Sequence, residues 1–432
     1  DPVDPPTAGR LLTFDGPPPT NLVMISIDTL RRDRIGRYAP GGASLTPYLD
    51  GIAAAGVALD RHQQVANWTL PATSTTLLGR FGWELGFLPD LDADTVVPES
   101  DDFLAVQLGQ AGFWSVLRTG NKFLSSDLHN AQGYSDADLV GGPATAVAGV
   151  GAAALGEALE GPTPPGRWFL HVHLMEPHAA YDPPDSYLAA EAGLDPVPYD
   201  LTDRGSTEDA AAAYPTMAPA DQALLRDHLV ARYDGEVRYL DDQLAQIWAD
   251  YEGAGLLDDA LVVVWSDHGE QLGDRGYLLH GNHLAAEEND GIVLFWARNL
   301  VPAAWDHPTT TLDLVPTVLD ALGLPADPDH DGLVVGTAPD DRPLYGATIS
   351  RLDTGLSCVT VDGWKLSLTW ATGALTLVDR TTDPTEQVDR YDPADPRAVS
   401  LWPLLRQVTL DASAANQDYP VVWPSPEPAA AR

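Results

Sequence analysis

The sequence predicts an α/β fold: a large, mostly parallel sheet flanked by helices, followed by a small C-terminal unit built on an antiparallel sheet. Two observations predict it. Short apolar runs of strand length alternate with helical stretches, and three of them end in polar residues, as buried parallel strands do. After about residue 335 the texture changes to short strands separated by Asp-Gly and Thr-Gly turns. A chain of 432 residues with 44% hydrophobic residues can fill a core of that size.

The elements follow in order. Residues 1–20 are rich in proline and acid and read as a flexible leader. Asn21 to Asp28 is a buried strand with its acid at the C-terminal edge. Thr46 to Ala55 is a helix begun by Thr-Pro, and Gly56 to Val65 the next strand. Asn67 to Arg80 then opens a helix at Thr69-Leu70-Pro71. Asp102 to Ala111 is helical and Phe113 to Arg118 a strand ending near Asn121 and Lys122. Thr145 to Leu159 is an Ala-rich helix. Arg167 to Met175 is a buried strand running into Glu176-Pro177-His178. Residues 180–219 read as a loop that forms a lid or a wall of a cleft. Ala220 to Tyr251 is a long amphipathic helix, and Ala260 to Ser266 a third buried strand running into Asp267-His268-Gly269-Glu270. Gly291 to Trp296 is a strand and Thr311 to Leu322 a helix stopped by Gly323. Hairpin strands follow at Cys358–Val361, Lys365–Thr369 and Ala374–Val378. The expected division is a leader (1–20), a catalytic domain (21–335), a small antiparallel-sheet subdomain (336–420) and a poorly ordered tail (421–432).

The charge narrows the partners. Against 63 Asp and Glu stand 24 Lys and Arg, a formal charge of −39. Such a surface repels nucleic acid and anionic lipid at long range. Only two residues are lysine, Lys122 and Lys365. The single cysteine, Cys358, excludes an intrachain disulfide and reads as a small apolar strand residue. No apolar run reaches the length needed to span a bilayer. The chain starts at Asp1 with a Pro-rich leader; a removed signal peptide or lipoprotein anchor explains both, as does artificial trimming of the N-terminus, and the first reading gives the expectation of a periplasmic or secreted protein.

Chemistry collects at the strand ends. Asp28, the pair His173/His178, and Asp267-His268 each sit at or beyond the end of an apolar strand, and Thr69 follows a fourth. In a parallel sheet those ends share one rim. Two aspartates and a histidine there suit a divalent cation. Aspartate and histidine with an open position favour zinc or manganese; more oxygen ligands favour calcium or magnesium. Thr69 stands where a helix N-terminus can hold an anion, and by itself it also reads as an N-cap.

These stretches together resemble the sulfatase family of the alkaline phosphatase superfamily. Ile25-Ser26-Ile27-Asp28-Thr29-Leu30-Arg31-Arg32-Asp33 is similar to its opening strand and metal aspartate, and Thr46-Pro47-Tyr48-Leu49-Asp50 to its Thr-Pro-x-Leu-Asp helix. Phe169 to Tyr181 resembles its His-x-x-x-(Asp/Glu)-Pro-His segment. Tyr233-Asp234-Gly235-Glu236, Ser266-Asp267-His268-Gly269-Glu270 and Asp313-Leu314-Val315-Pro316-Thr317 continue the resemblance. It implies an alkaline phosphatase-like fold and an ester-bond hydrolase.

One departure bears on mechanism. Family sulfatases carry Cys-x-Pro-Ser-Arg or Ser-x-Pro-Ser-Arg, whose first residue becomes formylglycine. In that register this chain has Thr69-Leu70-Pro71-Ala72-Thr73, without the arginine. A threonine resembles instead the phosphodiesterases, phosphonoacetate hydrolases and phosphoethanolamine transferases of the superfamily. That likeness implies Thr69 as nucleophile and Asp28, Thr69, Asp267 and His268 as the set around one divalent metal (calcium, manganese or zinc). A second metal on Glu176, His178 and His283 is a further option. It also implies His173 or His178 as proton donor, His283 as a later active-site histidine with His280 as the alternative, and Asn121 as a contact to the transferred group. The expected substrate is a small anionic ester: a phosphodiester, phosphonate monoester or sulfate ester. The alternatives are a formylglycine-independent sulfuric ester hydrolase and a non-hydrolytic binding or scaffold protein.

Overall fold

The computed structural model describes residues 11–42, 44–90 and 95–428. The main sheet has eight strands: β1 (Asn21–Ile27), β2 (Val57–Gln63), β3 (Phe113–Thr119), β4 (Asp136–Leu139), β5 (Arg167–Leu174), β6 (Ala260–Ser266) and, after a two-stranded ribbon of β7 (Gln271–Leu272) and β8 (Leu278–Leu279), β9 (Val293–Trp296) and β10 (Ala303–Thr310). Their spatial order is β10-β2-β9-β6-β1-β5-β3-β4. β9 is antiparallel to both of its neighbours; the other pairings are parallel. The C-terminal ends of β1, β2, β3, β5 and β6 therefore share one rim.

Both faces of the sheet are covered, so its central strands are mostly apolar on both sides. Val23, Ile25 and Ile27 face a core closed by α1 (Pro47–Ala55), α4 (Ala144–Glu160) and the long α6 (Pro219–Gly253). Leu22 and Met24 face the other core, closed by α2 (Thr69–Leu78), α3 (Leu104–Gln110) and α8 (Leu314–Ala321). Two further helices, α5 (Arg204–Ala213) and the short α7 (Ala286–Asn289), belong to loops around the rim.

A second sheet, β11 (Leu344–Ser350), β12 (Thr354–Val361), β13 (Trp364–Thr369) and β14 (Ala374–Asp379), is antiparallel in sequence order and carries α9 (Pro396–Ala415). It shares a core with Val65, Trp83 and Leu312, so it is built onto the larger body. Cys358 is buried there as expected.

Several expectations need correction. β4, β10, β11 and α9 stand where the sequence predicts no element; about half the residues of β4 and β10 are polar, so neither shows a continuous apolar run. The stretch 180–219 is not all loop, because Asp203 accepts from Ser206 N (2.9 Å) and caps α5. Of the leader, residues 1–10 lie outside the described residues, but Leu11 and Leu12 are buried and Phe14 pairs with Leu300. The tail is also fastened: Val422 N donates to Trp370 O (2.8 Å) and Trp402 Nε1 to Glu427 (3.1 Å). In the leader, buried apolar side chains outweigh the proline-rich composition; in the tail, hydrogen bonds to the second sheet and α9 do the fastening.

Candidate active site

Strand register brings the two aspartates together. Ile27 pairs with Leu174 on one side and Ser266 on the other, so Asp28 and Asp267, one residue further on, emerge side by side. Both are fully buried. Burial alone would raise Asp28, but His178, His173 and His268 outweigh it and hold its carboxyl far below the usual range. Asp267 is pushed well above that range by burial and then by the Asp28 charge.

His268 points at both carboxylates. Its Nδ1 is 2.9 Å from the Gly269 carbonyl, which can only accept, so Nδ1 carries the hydrogen. In the neutral ring Nε2 is then a bare lone pair, 3.6 Å from Asp28 Oδ1 and 3.5 Å from Asp267 Oδ2. Those two oxygens are buried with no hydrogen-bond partner among the described residues. A lone pair and two carboxylate oxygens this close in a buried space repel one another unless a proton or a cation lies between them. Atoms sharing a cation at about 2.0–2.2 Å stand roughly 3.0–3.5 Å apart, close to the observed spacings. The residues present fit a divalent cation. Among the described residues, Asp28, His173 and Asp267 form the one group of three whose ligand atoms all lie within 4.8 Å of each other.

Thr69 is not an N-cap. Trp68 takes the cap position in an extended conformation and Thr69 is the first residue of α2. Every residue of α2 is buried. Its later hydroxyls turn back on the helix: Thr73 to Thr69 O (2.6 Å), Ser74 to Leu70 O (2.7 Å) and Thr76 to Ala72 O (2.7 Å). Thr69, at the start, has no preceding turn to bond. Its Oγ1 faces His268 Nε2 at 3.4 Å and Asn121 Nδ2 at 3.3 Å. Asn121 follows β3 and also donates to Asp28 Oδ2 (2.6 Å). Thr69, Asn121, Asp28, Asp267 and His268 are thus drawn together from four segments.

A cleft of about 960 Å³ opens onto Thr69 and Asn121. His178 and His280 line it, with ring centroids 5.2 Å apart. His280 Nδ1 meets Glu270 Oε1 at 3.1 Å, and burial pushes Glu270 up to about 7. Lys122 also lines the cleft, as does Arg351, whose presence there no sequence motif signalled. Arg351 N donates to Gly281 O (2.7 Å) and Ser350 Oγ to Asn282 O (3.0 Å), so the end of β11 is tied to the His280 loop. That tie brings a cation into a site without an arginine at position 73.

Two predicted histidines stand elsewhere. His283 does not line the cleft: its ring packs on Tyr277 (5.1 Å), and burial with the Arg275 charge lowers it to about 4. His280, the alternative to His283 in the sequence reading, lines the cleft instead. His173 lies on β5, fully buried, its Nδ1 2.8 Å from Ser26 Oγ and its Nε2 3.3 Å from Asp28 Oδ2, rather than exposed in the cleft. Glu176 is turned toward Ala144 N and Gln243, away from His283, so the residues suggested for a second metal are not gathered.

Comparison with known proteins bears on this arrangement. A family model described as Sulfatase matches residues 20–324. A choline-sulfatase of Rhizobium meliloti is 28% identical over 92 residues, 21% of this chain and 18% of that protein. The match thus spans less than a fifth of that relative. Among solved structures, one in complex with its substrate D-glucosamine-2-N,6-O-disulfate superposes with a TM-score of 0.71 at 15% identity, covering 93% of this chain and 99% of that one. A phosphonate monoester hydrolase from Silicibacter pomeroyi gives 0.70 at 19% identity, covering 92% and 96%. Its counterpart from Agrobacterium radiobacter gives 0.68 at 20%, covering 91% and 95%. At these identities the structural likeness is one of fold.

Proposed function

Because the chain belongs to the sulfatase family of ester-bond hydrolases, we propose that it cleaves a small anionic ester through Thr69, by way of a covalent intermediate. The substrate is a phosphodiester, a phosphonate monoester or a sulfate ester. The observation that carries this reading is the Thr69 hydroxyl itself: buried, not used as a cap, and set between His268 Nε2 (3.4 Å) and Asn121 Nδ2 (3.3 Å) in the lining of the cleft.

Asp28, Asp267 and His268, with Thr69, would hold the divalent cation whose fit is argued above. Bound there, it supplies positive charge that favours the ionised hydroxyl and polarises the ester. The chain's own groups do the rest. Thr69 Oγ1 gives up its proton to water in the cleft and bonds to phosphorus or sulfur as the bond to the leaving oxygen breaks. Asn121 and the first free N–H groups of α2 steady the remaining oxygens. His178 gives a proton to the leaving oxygen, and water later frees Thr69 with an imidazole of the cleft taking its proton. Lys122 and Arg351 hold the anion in the cleft. A monoanion suits the site better than a dianion, since position 73 carries no arginine.

The test uses metal-loaded protein, wild type and Thr69→Ala, on an aryl phosphodiester, an aryl phosphonate, an aryl phosphate monoester and an aryl sulfate. Thr69→Ala should lose about 10⁴-fold or more in kcat. Rapid quenching of the wild type should give a mass adduct on the peptide bearing Thr69. Near-normal turnover by Thr69→Ala would eliminate the nucleophile. No turnover of any ester by metal-filled wild type would favour a binding role.

A further inference from the structure

Behind His173 runs a chain of hydrogen bonds that the steps above do not use. Ser26 on β1 faces His173 in register, and Met24 faces His171. The two-residue period of a strand puts both imidazoles on one side of β5. Ser26 Oγ is 2.8 Å from His173 Nδ1 and 2.9 Å from His171 Nε2, and His171 Nδ1 is 2.6 Å from the Tyr134 hydroxyl. Ser26, His171 and His173 are fully buried, while Tyr134 is half-buried. At the inner end His173 Nε2 lies 3.3 Å from Asp28 Oδ2.

A parallel strand in this position needs only apolar residues for packing, as Phe169 on the same face shows. Burying three polar side chains instead is costly unless every one is bonded, and here each is bonded to the next. Neutral imidazoles and hydroxyls carry one hydrogen each, so the chain can run in two senses. In one, Tyr134 donates inward and His173 Nε2–H points at Asp28. In the other, His173 Nδ1–H donates to Ser26, Ser26 to His171 and His171 Nδ1–H to Tyr134. His173 then turns a bare Nε2 toward the Asp28–Asp267 pair.

We propose that Ser26, His171 and Tyr134 are positioning residues that hold His173 as the Nδ1–H tautomer, so that its Nε2 joins Asp28, Asp267 and His268 as a second imidazole ligand of the cation. This rests on the metal-dependent reading above and deepens it by naming the class of metal. The 4.8 Å clustering of Asp28, His173 and Asp267 places the ring nitrogen within the ligand set. A ligating histidine ordinarily gives its other N–H to a fixed partner, which is what Ser26 provides. Two imidazoles beside carboxylates suit zinc or manganese, whereas calcium and magnesium take oxygen.

Zinc is the probe. Wild type, His173→Gln, Ser26→Ala and Tyr134→Phe are loaded with zinc, zinc-edge X-ray absorption counts the imidazoles, and chelator competition gives the affinity. We expect two imidazoles in the wild type and one in His173→Gln. Ser26→Ala should bind zinc about 10- to 100-fold more weakly. Tyr134→Phe should weaken it in the same direction, and as a conservative change at the outer end it keeps the test alive if Ser26→Ala does not fold. One imidazole in the zinc-loaded wild type, or unchanged affinity in both chain variants, overturns the inference and leaves the metal hydrolase standing. Tighter binding of calcium than of zinc also overturns it. A wild type that binds neither zinc, manganese nor calcium overturns the metal-dependent reading itself.

Discussion

The Asn121 side-chain amide donates to the Asp28 carboxylate at 2.6 Å, and the same nitrogen stands 3.3 Å from Thr69 Oγ1. One loop residue thus orients both the acid and the hydroxyl. Asn121→Ala should lower kcat by about 10²- to 10³-fold, the cost of removing one preorganised donor. Metal content should stay unchanged, since Asp28, Asp267 and His268 remain. Steady-state kinetics with elemental analysis on the same sample checks this. Equal kcat in the two proteins would take Asn121 out of the mechanism.

His178 should matter in proportion to how poor the leaving group is. Its Nδ1 contacts the Ala179 carbonyl (2.5 Å), which leaves Nε2 for the cleft it lines. His178→Ala should cost about 10²- to 10⁴-fold on phenyl or alkyl esters. On a 4-nitrophenyl ester, whose leaving oxygen needs no proton, the loss should be small. A uniform loss across the series would reassign His178 to binding.

Glu236 sets a pH dependence of stability. Burial, then the nearby Glu176, raises its pKa from 4.5 to about 8. The folded state therefore holds a proton that the unfolded state releases between those values. Stability from this group is full below about 4.5 and falls as pH rises toward 8, by on the order of a few kcal/mol. Denaturant melts of Glu236→Gln should show a flatter decline from pH 5 to 8 than the wild type. Parallel curves would contradict the assignment.

Lys365 joins the C-terminal sheet to the site loops. It is 1% exposed, and its Nζ donates to the Leu284 carbonyl, to Asn289 (3.3 Å) and to Glu386 (3.2 Å). Removing one member of a buried pair leaves the other charge poorly compensated, although Arg380 still reaches Glu386 at 3.0 Å. Lys365→Met should destabilise the protein by about 3 kcal/mol. Chemical denaturation measures it, and a change below about 0.5 kcal/mol would mark the pair as a minor contributor.

The sequence by itself determined the alternation of strands and helices and the residues at the strand ends. Asp28, Asp267 and His268 each follow an apolar run, and Thr69 opens a helix after another. Apolar period and strand length are local properties, and parallel pairing then sends those ends to one rim whatever the loops do. The hairpins of the C-terminal sheet were legible for the same reason, from their turns.

Only the tertiary structure decided which side chains face the cleft. His280 and His283 are three residues apart in one loop. Asn67 and the backbone of Asn282 and His283, all bonded to the Glu288 carboxylate, fix which ring turns inward. Arg351 enters the cleft because β11 is tied to Gly281, seventy residues away in sequence, by a backbone hydrogen bond. His173 looks like a catalytic histidine until strand register sets it opposite Ser26, inside the sheet. A residue's type and local pattern state what chemistry it can do. Whether it meets substrate, a metal or another side chain depends on contacts between distant segments, which no local pattern carries.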